Sequence, residues 1–278
     1  MTILVTGARG QVGGAVLAQL LAAGQPVRVS SRDPRSADFP AAVEVVRADL
    51  TDPASLPDAL AGVGKVFLYA HPEAAADVAA AARKAGVGHV VLLSSSSVVW
   101  RDAAANPIAM RHAVVERALD EAGLDHTFVR PGYFATNTLR WQSIRTDRLL
   151  RTAFPDATSS PVHERDIAEV AVRALLDDTY RGTAPLVLGP GPITIREQVA
   201  AIAAALGEPV RLEQVDRETY RAEQLTQLPE PLVDRLLQNG GTVPALPAEL
   251  GADATAEILG RPATPFADWA RDHAADFR

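Results

Sequence analysis

The sequence predicts an α/β protein with a doubly wound parallel sheet and a smaller C-terminal region. Short apolar segments alternate with amphipathic segments of helical length through the first half of the chain. Glycine or proline bounds most of these segments. The strands of a parallel sheet are covered by helices on both faces, and they therefore read as continuous apolar runs. We expect each apolar run in this sequence to form one buried strand.

The first element is a strand that enters a glycine-rich turn and then a helix. Ile3–Val5 form the predicted strand, and Thr6 leads into the turn. Glycine lets a backbone turn sharply and approach an anion, and the positive end of the helix dipole favours negative charge. A glycine-rich turn between a strand and a helix is typical of dinucleotide binding. The predicted cofactor contacts here are Gly7, Arg9, Gly10, Gln11, Val12 and Gly13.

The later elements follow in alternation, and glycines stand where several helices are expected to end. The further predicted strands are Val27–Ser30, Val43–Val46, Val66–Tyr69, Val90–Leu93, Thr127–Val129, Leu186–Leu188 and Val210–Val215. The predicted helices are Gln11–Ala23, a short one entered at Thr51-Asp52-Pro53, Glu73–Ala85, Ile108–Ala122, Arg165–Asp177 and Ile195–Leu206.

The regular alternation ends near residue 132. We therefore divide the chain into a dinucleotide-binding core at residues 1–132 and a C-terminal part at residues 133–278. The C-terminal part is expected to complete the sheet and to form the substrate region. Within it, prolines break the polar helix-like pieces of residues 217–251. Such a segment either forms a lid over a substrate site or is surface decoration, and the sequence favours neither.

Composition and charge exclude several classes of function. The chain of 278 residues has a formal net charge of -7 and no basic run, which argues against nucleic-acid or anionic-membrane binding. It has no cysteine, and its histidines lack metal-ligand spacing. No apolar stretch approaches the ~20 residues of a membrane span. The first residues form a core strand rather than a signal peptide, so we expect a soluble cytoplasmic protein.

The end of the second strand indicates which cofactor is bound. NAD-binding proteins place a carboxylate there, ~20 residues after the glycines, to bind the adenine ribose. Here the strand ends in Ser31-Arg32, and a guanidinium suits a 2′-phosphate because it offers forked donors. Arg9 could reach the same phosphate, or both arginines are ordinary surface residues. We predict that NADPH is preferred over NADH and interpret Asp33 as a turn residue.

Three further strand ends are predicted to contribute to the cofactor site. Asp49 and Leu50 follow the third strand, where the carboxylate would accept the adenine amine, cap the following turn, or do both. Ala70 and His71 follow the fourth strand, and Ser94 follows the fifth.

These motifs resemble the short-chain dehydrogenase/reductase superfamily, and in particular its atypical NmrA-like branch. The resemblance rests on Thr6–Gly13, Ala48-Asp49-Leu50, Val66–Tyr69, Arg130–Phe134 with Asn137, Arg165–Ala168, and Gly260-Arg261-Pro262 with Phe266 and Trp269. It covers nearly the whole chain and implies a Rossmann fold. The predominance of arginine over lysine, the late irregular segment and the missing catalytic pair resemble actinobacterial ketoreductases that tailor antibiotics. In that setting Tyr133 and Phe134 either wall the nicotinamide or substrate pocket or serve packing alone.

The usual catalytic pair of the superfamily is absent. Ordinary members carry Tyr-x-x-x-Lys on the helix after strand five, where the lysine lowers the pKa of the tyrosine that passes the proton. None of the four tyrosines here has a lysine four residues later. That helix carries His112 and Glu116 instead, so His112 serves either as an acid or in a structural contact with Glu116. Ser95 and Ser96 are the predicted donors to a developing oxyanion, with capping of the strand end as the alternative.

Two functions of different classes follow. The first is an NADPH-dependent reductase that transfers hydride to a carbonyl of a small molecule. A polycyclic aromatic or quinone-like substrate would delocalise the new charge and relax the need for a tyrosine. The second is a redox sensor that binds NADP and acts on a protein partner without chemistry. An enclosing segment over the cofactor cleft favours the reductase.

Overall fold

The computed structural model describes residues 1–36, 38–243 and 254–278 and divides the chain into two units. The first unit combines Met1–Pro131 with Glu164–Val187, and the second combines Gly132–His163 with Leu188–Arg278. The first break lies beside the boundary expected at residue 132. The chain then returns to the first unit before it completes the second.

Strands and helices alternate along the described chain. The strands are β1 (Thr2–Val5), β2 (Val27–Ser31), β3 (Glu44–Arg47), β4 (Val63–Tyr69), β5 (His89–Leu93), β6 (His126–Pro131), β7 (Leu149–Thr152), β8 (Thr158–Ser159), β9 (Leu186–Val187), β10 (Ile193–Thr194) and β11 (Arg211–Gln214). The helices are α1 (Gln11–Ala22), α2 (Leu56–Leu60), α3 (Ala75–Lys84), α4 (Pro107–Glu121), α5 (Gln142–Asp147), α6 (Glu164–Leu176), α7 (Ile195–Leu206), α8 (Arg217–Gln224), α9 (Glu230–Gln238), α10 (Ala254–Leu259) and α11 (Phe266–Asp272).

The first unit is a parallel sheet of seven strands in the order β3-β2-β1-β4-β5-β6-β9. Each of its neighbouring pairs is parallel. The chain runs outward from β1 to β2 and β3 and then crosses back to β4 on the other side of β1. That reversal makes a crevice at the carboxyl ends of β1 and β4, where open α/β sheets bind ligands. The predicted doubly wound α/β fold is confirmed.

The apolar runs form the buried strands because helices cover the sheet. Each residue of β5 is buried, and Val5 and Val29 are fully buried in β1 and β2. Leu4, Val66, Leu92 and other apolar residues of the sheet pack with Val78 and Leu119 of the covering helices in one core cluster. This packing holds the strand ends at a common edge and so positions the loops that follow them.

Strand β4 begins at Val63, earlier than the predicted start at Val66. The prediction missed this part because Lys65 interrupts the apolar run. The structure shows that the Lys65 ammonium donates to the Leu175 carbonyl oxygen at 2.7 Å and to the Asp178 carboxylate at 2.9 Å. A strand can contain this charged residue because its ammonium group donates hydrogen bonds to these two oxygen atoms.

The second unit has its own apolar core. Strands β7 and β11 pair in parallel, and β8 and β10 pair in antiparallel fashion. Ile144, Ile202 and Trp269 are fully buried and belong to one cluster with residues of α7 and α11. The sequence did not predict the short elements α5, α10, α11, β7, β8 and β10, which are two to seven residues long.

The proline-broken segment at residues 217–251 forms the predicted helical pieces in part. Asp216 caps α8 by accepting the N–H of Thr219 at 2.8 Å, and α9 follows after Pro229. Residues 244–251 of the candidate lid lie outside the described residues. Among the described helices, none is both long enough and apolar enough to span a membrane.

Candidate functional site

The glycine-rich turn lies at the carboxyl end of β1. Gly7 has a positive φ of 65°, and its carbonyl oxygen accepts the N–H of Gly10 at 2.9 Å. Gly13 packs against the same carbonyl group, and a Cβ atom on Gly13 would lie 2.2 Å from the Gly7 oxygen. Only glycine allows the helix to approach the turn this closely, so the turn is a cradle lined by backbone.

The N-terminus of α1 offers backbone N–H groups to a ligand. Gly10 occupies the cap position without a side-chain hydrogen bond, and the first turn of this described helix holds no acidic residue. The first N–H groups of a helix lack intrahelical partners and carry the positive end of the helix dipole. The arrangement therefore suits a phosphate. Gln11 is exposed at the first helical position, Val12 is buried, and Arg9 is exposed within the turn.

Thr6 and Tyr69 join the ends of β1 and β4 beside this turn. The Thr6 hydroxyl donates to the Phe67 carbonyl oxygen at 3.1 Å and accepts the N–H of Tyr69 at 2.7 Å. The Tyr69 side chain packs against Gly7, yet the residue is 53% exposed. Ala70 was the residue predicted at this strand end, and Tyr69 was not. An aromatic residue at the last position of an apolar strand was the signal that could have found it.

The residues at the end of β2 form a hydrogen-bonded turn. The Ser31 hydroxyl donates to the Asp33 carbonyl oxygen at 2.9 Å, and the Asp33 carboxylate accepts the N–H of Arg35 at 3.1 Å. This geometry supports the interpretation of Asp33 as a turn residue. Arg32 is exposed at the position that reads the adenine ribose in dinucleotide-binding sheets.

Asp49 caps the turn after β3. Its carboxylate accepts the backbone N–H of Thr51 at 2.9 Å and the Thr51 hydroxyl at 2.7 Å. These hydrogen bonds lower the pKa of Asp49, and the nearby Arg32 charge lowers it further. The carboxylate is therefore ionised at neutral pH, and contact with an adenine amine stays a prediction. The adjacent Leu50 and the later Ala70 are half-buried against the core cluster.

His71 stands at the carboxyl edge of the sheet, after β4. Its Nδ1 lies 3.3 Å from a carboxylate oxygen of Glu73. Glu73 also accepts a hydrogen bond from Arg111 at 3.0 Å. His71 is half-buried in this exposed cluster of charges.

Glu116 forms a closed ion pair on α4, the helix that carries the acid–base pair in ordinary short-chain dehydrogenases. Arg130 donates from Nε and Nη2 to its two carboxylate oxygens at 2.9 and 2.7 Å. The Ser94 hydroxyl donates to Glu116 at 2.6 Å. Ser94 was predicted as a cofactor contact, but its buried hydroxyl is directed to the carboxylate. Arg130 belongs to the Arg-Pro-Gly motif of the family resemblance, and no role was predicted for it.

No hydrogen bond or ion pair joins His112 to Glu116 within the described structure, where Arg130 and Ser94 hold the carboxylate. The Nδ1 atom of His112 is buried without a hydrogen-bond partner among the described residues. Burial lowers the pKa of His112, and the Glu116 charge only partly offsets that effect. His112 is therefore a neutral imidazole near pH 7.

The serines after Ser94 form a short 3-10 turn. The Ser95 hydroxyl accepts the N–H of Ser97 at 3.2 Å and lies 2.9 Å from the Ser97 hydroxyl. Ser95 is half-buried, and Ser96 is 2% exposed. The capping alternative is thus realised at Ser95, and donation from Ser95 or Ser96 to a substrate stays a prediction.

The second unit contains a cavity of about 340 Å³. Tyr133 lines it, together with Arg140 and Tyr220, and burial raises the pKa of Tyr133. Phe134 does not line the cavity and pairs with Val162 through a single bridge. Only the first of the two predicted pocket residues therefore faces this space. Arg140 and Tyr220 carried no motif that the sequence analysis could use.

The sheet order, the backbone cradle and the open helix N-terminus define a dinucleotide-binding protein of Rossmann type. A family model described as NAD(P)H-binding matches residues 7–178. The chain belongs to this NAD(P)H-binding family, in its NmrA-like short-chain dehydrogenase/reductase branch.

Comparisons with known proteins agree with an oxidoreductase. A (4-alkanoyl-5-oxo-2,5-dihydrofuran-3-yl)methyl phosphate reductase of Streptomyces griseus is 40% identical, with 99% of each chain covered. An NAD(P)H azoreductase of Xenophilus azovorans is 32% identical, again with 99% of each chain covered. The crystal structure of a Citrobacter sp. triphenylmethane reductase complexed with NADP(H) has a similar fold. Its TM-score is 0.80 at 22% identity, with 99% of this chain and 100% of that chain covered. The chain is an NAD(P)H-dependent reductase.

Proposed function

We propose that the protein transfers a hydride from NADPH to a conjugated small-molecule acceptor without a Tyr-x-x-x-Lys pair. The observation that carries the proposal is the contrast between two sites in the first unit. The cofactor cradle at Gly7 and Gly13 is intact, whereas α4 holds Glu116 in a closed ion pair with Arg130. A chain that keeps the cradle and lacks the acid–base pair suits acceptors that stabilise their own negative charge.

The residues present fit NADPH because glycines line the cradle, and no side chain of theirs keeps a phosphate group away from the backbone. Gly7, Gly10 and Gly13 would let the pyrophosphate approach the first N–H groups of α1. Gln11, Val12, Leu50 and His71 complete the proposed binding set, with Tyr69 beside the turn. When bound, the dinucleotide supplies the hydride. The acceptor would gain that hydride and a proton.

The preference for NADPH over NADH is part of this proposal. Arg32 is exposed at the ribose-reading position, and Arg9 and Ser31 would support it. Arg32→Ala is expected to lower kcat/KM for NADPH by about ten-fold or more, since a charge-assisted hydrogen bond is lost. The value for NADH should hardly change. Arg35→Ala, three residues further on and also exposed, is the matched control.

The acceptor chemistry is proposed from the names of the two relatives. One name describes an oxo-dihydrofuran bearing an alkanoyl group, and the other describes azo compounds. Both are unsaturated groups that spread new negative charge, as do the quinone-like and polycyclic aromatic ketones predicted from the sequence. Ser95, Ser96 and neutral His112 are the proposed hydrogen-bond donors. Because none is a strong acid, His112→Ala should lose less than the ~100-fold expected of a general acid.

The test is the loss of NADPH absorbance at 340 nm with quinones, azo dyes, polycyclic ketones and acyl-substituted unsaturated lactones. We expect turnover with at least one acceptor class and slower turnover with NADH. Tight NADP binding by calorimetry without turnover of any of these acceptors would overturn the proposed acceptor chemistry. Equal rates with NADPH and NADH would overturn the assignment of Arg32.

A further inference from the structure

Every described residue that lines the cavity of about 340 Å³ belongs to the second unit. Small-molecule sites span roughly 300–1,000 Å³, so its volume suits a compact ligand. The cavity is not defined by the cofactor cradle, which belongs to the first unit. The ligand that it binds can therefore be inferred from its own lining side chains, separately from the cofactor.

Two arginines and one glutamate are the charged residues among the described lining of this cavity: Arg140, Arg151 and Glu223. Arg151 forms ion pairs with Glu223 and with Glu213, so its charge is compensated. The exposed Arg140 guanidinium donates to the neutral side chain of Asn137 at 3.3 Å, and no carboxylate of the described chain pairs with it. Arg140 therefore presents a positive charge to the cavity without a counter-ion among the described residues.

Two phenol groups add neutral donors to this positive charge. Burial raises the pKa of Tyr133, and it raises that of Tyr220 to about 12, so both keep their protons at neutral pH. The Arg140 charge acts on both phenols, which places the three groups near one another. Neither hydroxyl is hydrogen-bonded to another described residue. The Tyr220 ring is held edge-on against Phe154 at 5.5 Å between centroids.

Gln198 shows independently that the cavity is built for a polar ligand. This lining residue is 1% exposed, and its Nε2 donates to the Ser159 hydroxyl at 3.1 Å. Its Oε1 atom is buried and has no partner within the described part of the chain. A buried carbonyl oxygen without a donor is unfavourable, and a ligand hydroxyl or N–H would satisfy it.

We propose that this cavity binds a small organic oxyanion, a carboxylate or a phosphate monoester. Arg140 is the specificity-determining residue, and Tyr133 and Tyr220 donate hydrogen bonds to the same oxyanion. This anion binding does not rest on the proposed reductase function.

The test is calorimetric titration of the protein with phenyl phosphate, benzoate and phenol. Saturating NADP+ is present, so that phosphate cannot occupy the glycine-rich turn. We expect phenyl phosphate, benzoate or both to bind at least ten-fold more tightly than phenol. Arg140→Gln should weaken that binding by about ten- to a hundred-fold, the loss of a charge-assisted hydrogen bond. Tyr220→Phe, which keeps the ring packing, should weaken it by about three- to ten-fold.

Arg145→Gln is the matched control, because Arg145 is exposed on the neighbouring helix and does not line the cavity. Binding unchanged in Arg140→Gln, or equal binding of phenol and the two anions, would overturn the proposal. Phenyl phosphate binding without benzoate binding would assign the oxyanion to a phosphate monoester, and the reverse would assign it to a carboxylate. The titration needs no turnover, so a missing NADPH oxidation would overturn the proposed function while this result stands.

Discussion

Replacing Gly13 by alanine is the sharpest test of the cofactor cradle. The added Cβ atom would lie 2.2 Å from the Gly7 carbonyl oxygen and 2.7 Å from its carbon. Real Cβ atoms essentially never approach within 3.0 Å, so the turn must move away from the helix. The obstructing atoms are backbone, and the turn has to shift by about 1 Å because no side chain can rotate aside.

Two consequences follow from this shift. Crowding of this kind costs about 1–3 kcal/mol of folding free energy. The displaced turn no longer presents its N–H groups to the pyrophosphate, and each lost charge-assisted hydrogen bond costs about 1.5–3 kcal/mol, or roughly ten- to a hundred-fold in affinity. We therefore expect the Kd of NADPH for Gly13→Ala to rise by about a hundred-fold in a fluorescence titration, with a lower Tm.

The neighbouring glycine provides the control for this substitution. A Cβ atom on Gly14 would lie 3.3 Å from the Ala8 carbonyl oxygen, a tight contact that small adjustments relieve. Alanine also gains about 1 kcal/mol of helix propensity over glycine in a helix interior. Gly14→Ala should therefore bind NADPH within about three-fold of the wild type. NADPH affinity in Gly13→Ala that matches the wild type, or equal losses in both variants, would refute the reasoning.

Three further predictions concern buried and half-buried ionisable groups. Glu116→Gln should lower the free energy of unfolding in urea by about 3 kcal/mol, because it leaves the Arg130 charge half-buried without a counter-ion. Glu73→Gln, in an exposed pair, should leave that free energy unchanged, and an equal loss would contradict the assignment. Burial lowers the pKa of His89 to about 4. The contribution of the neutral imidazole to the free energy of unfolding is therefore fully present above pH 6.5 and is lost as the pH falls toward 4. The free energy of unfolding should fall less between pH 7 and pH 4.5 in His89→Asn than in the wild type, and parallel pH curves would argue against this. Burial raises the pKa of Tyr220 to about 12, so this phenol stays protonated up to about pH 10.5. The rise in absorbance at 295 nm up to that pH should therefore be the same in Tyr220→Phe as in the wild type, and a smaller rise in the variant would contradict the assignment.

The fold could be predicted from the sequence because its signals are local. Apolar runs, bounding glycines and the glycine-rich turn each lie within a few residues, and the sheet follows from their alternation. Strand β4 shows the limit of this reasoning. The hydrogen bonds that make Lys65 acceptable in a strand come from residues more than a hundred positions away.

In the candidate site too, residues of a local motif could be predicted and contacts between distant residues could not. The residues of the turn, from Gly7 to Gly13, could be found because one short motif contains them. The partner of Glu116 could not, since helical spacing pointed to His112 whereas Arg130 reaches the carboxylate from a neighbouring strand. Arg140 and Tyr220 escaped the analysis because they come together only when the second unit folds.

The return of residues 164–187 to the first unit bears on the order of folding during synthesis. Helix α6 packs on α1, and β9 adds to the sheet edge at β6. Both elements leave the ribosome only after Gly132–His163, the first stretch of the second unit. The sheet therefore stays incomplete, with the edge of β6 unpaired, until residue 187 has emerged. An N-terminal fragment that stops at residue 131 is expected to associate through that edge, so it is a poor stand-in for the cofactor-binding unit.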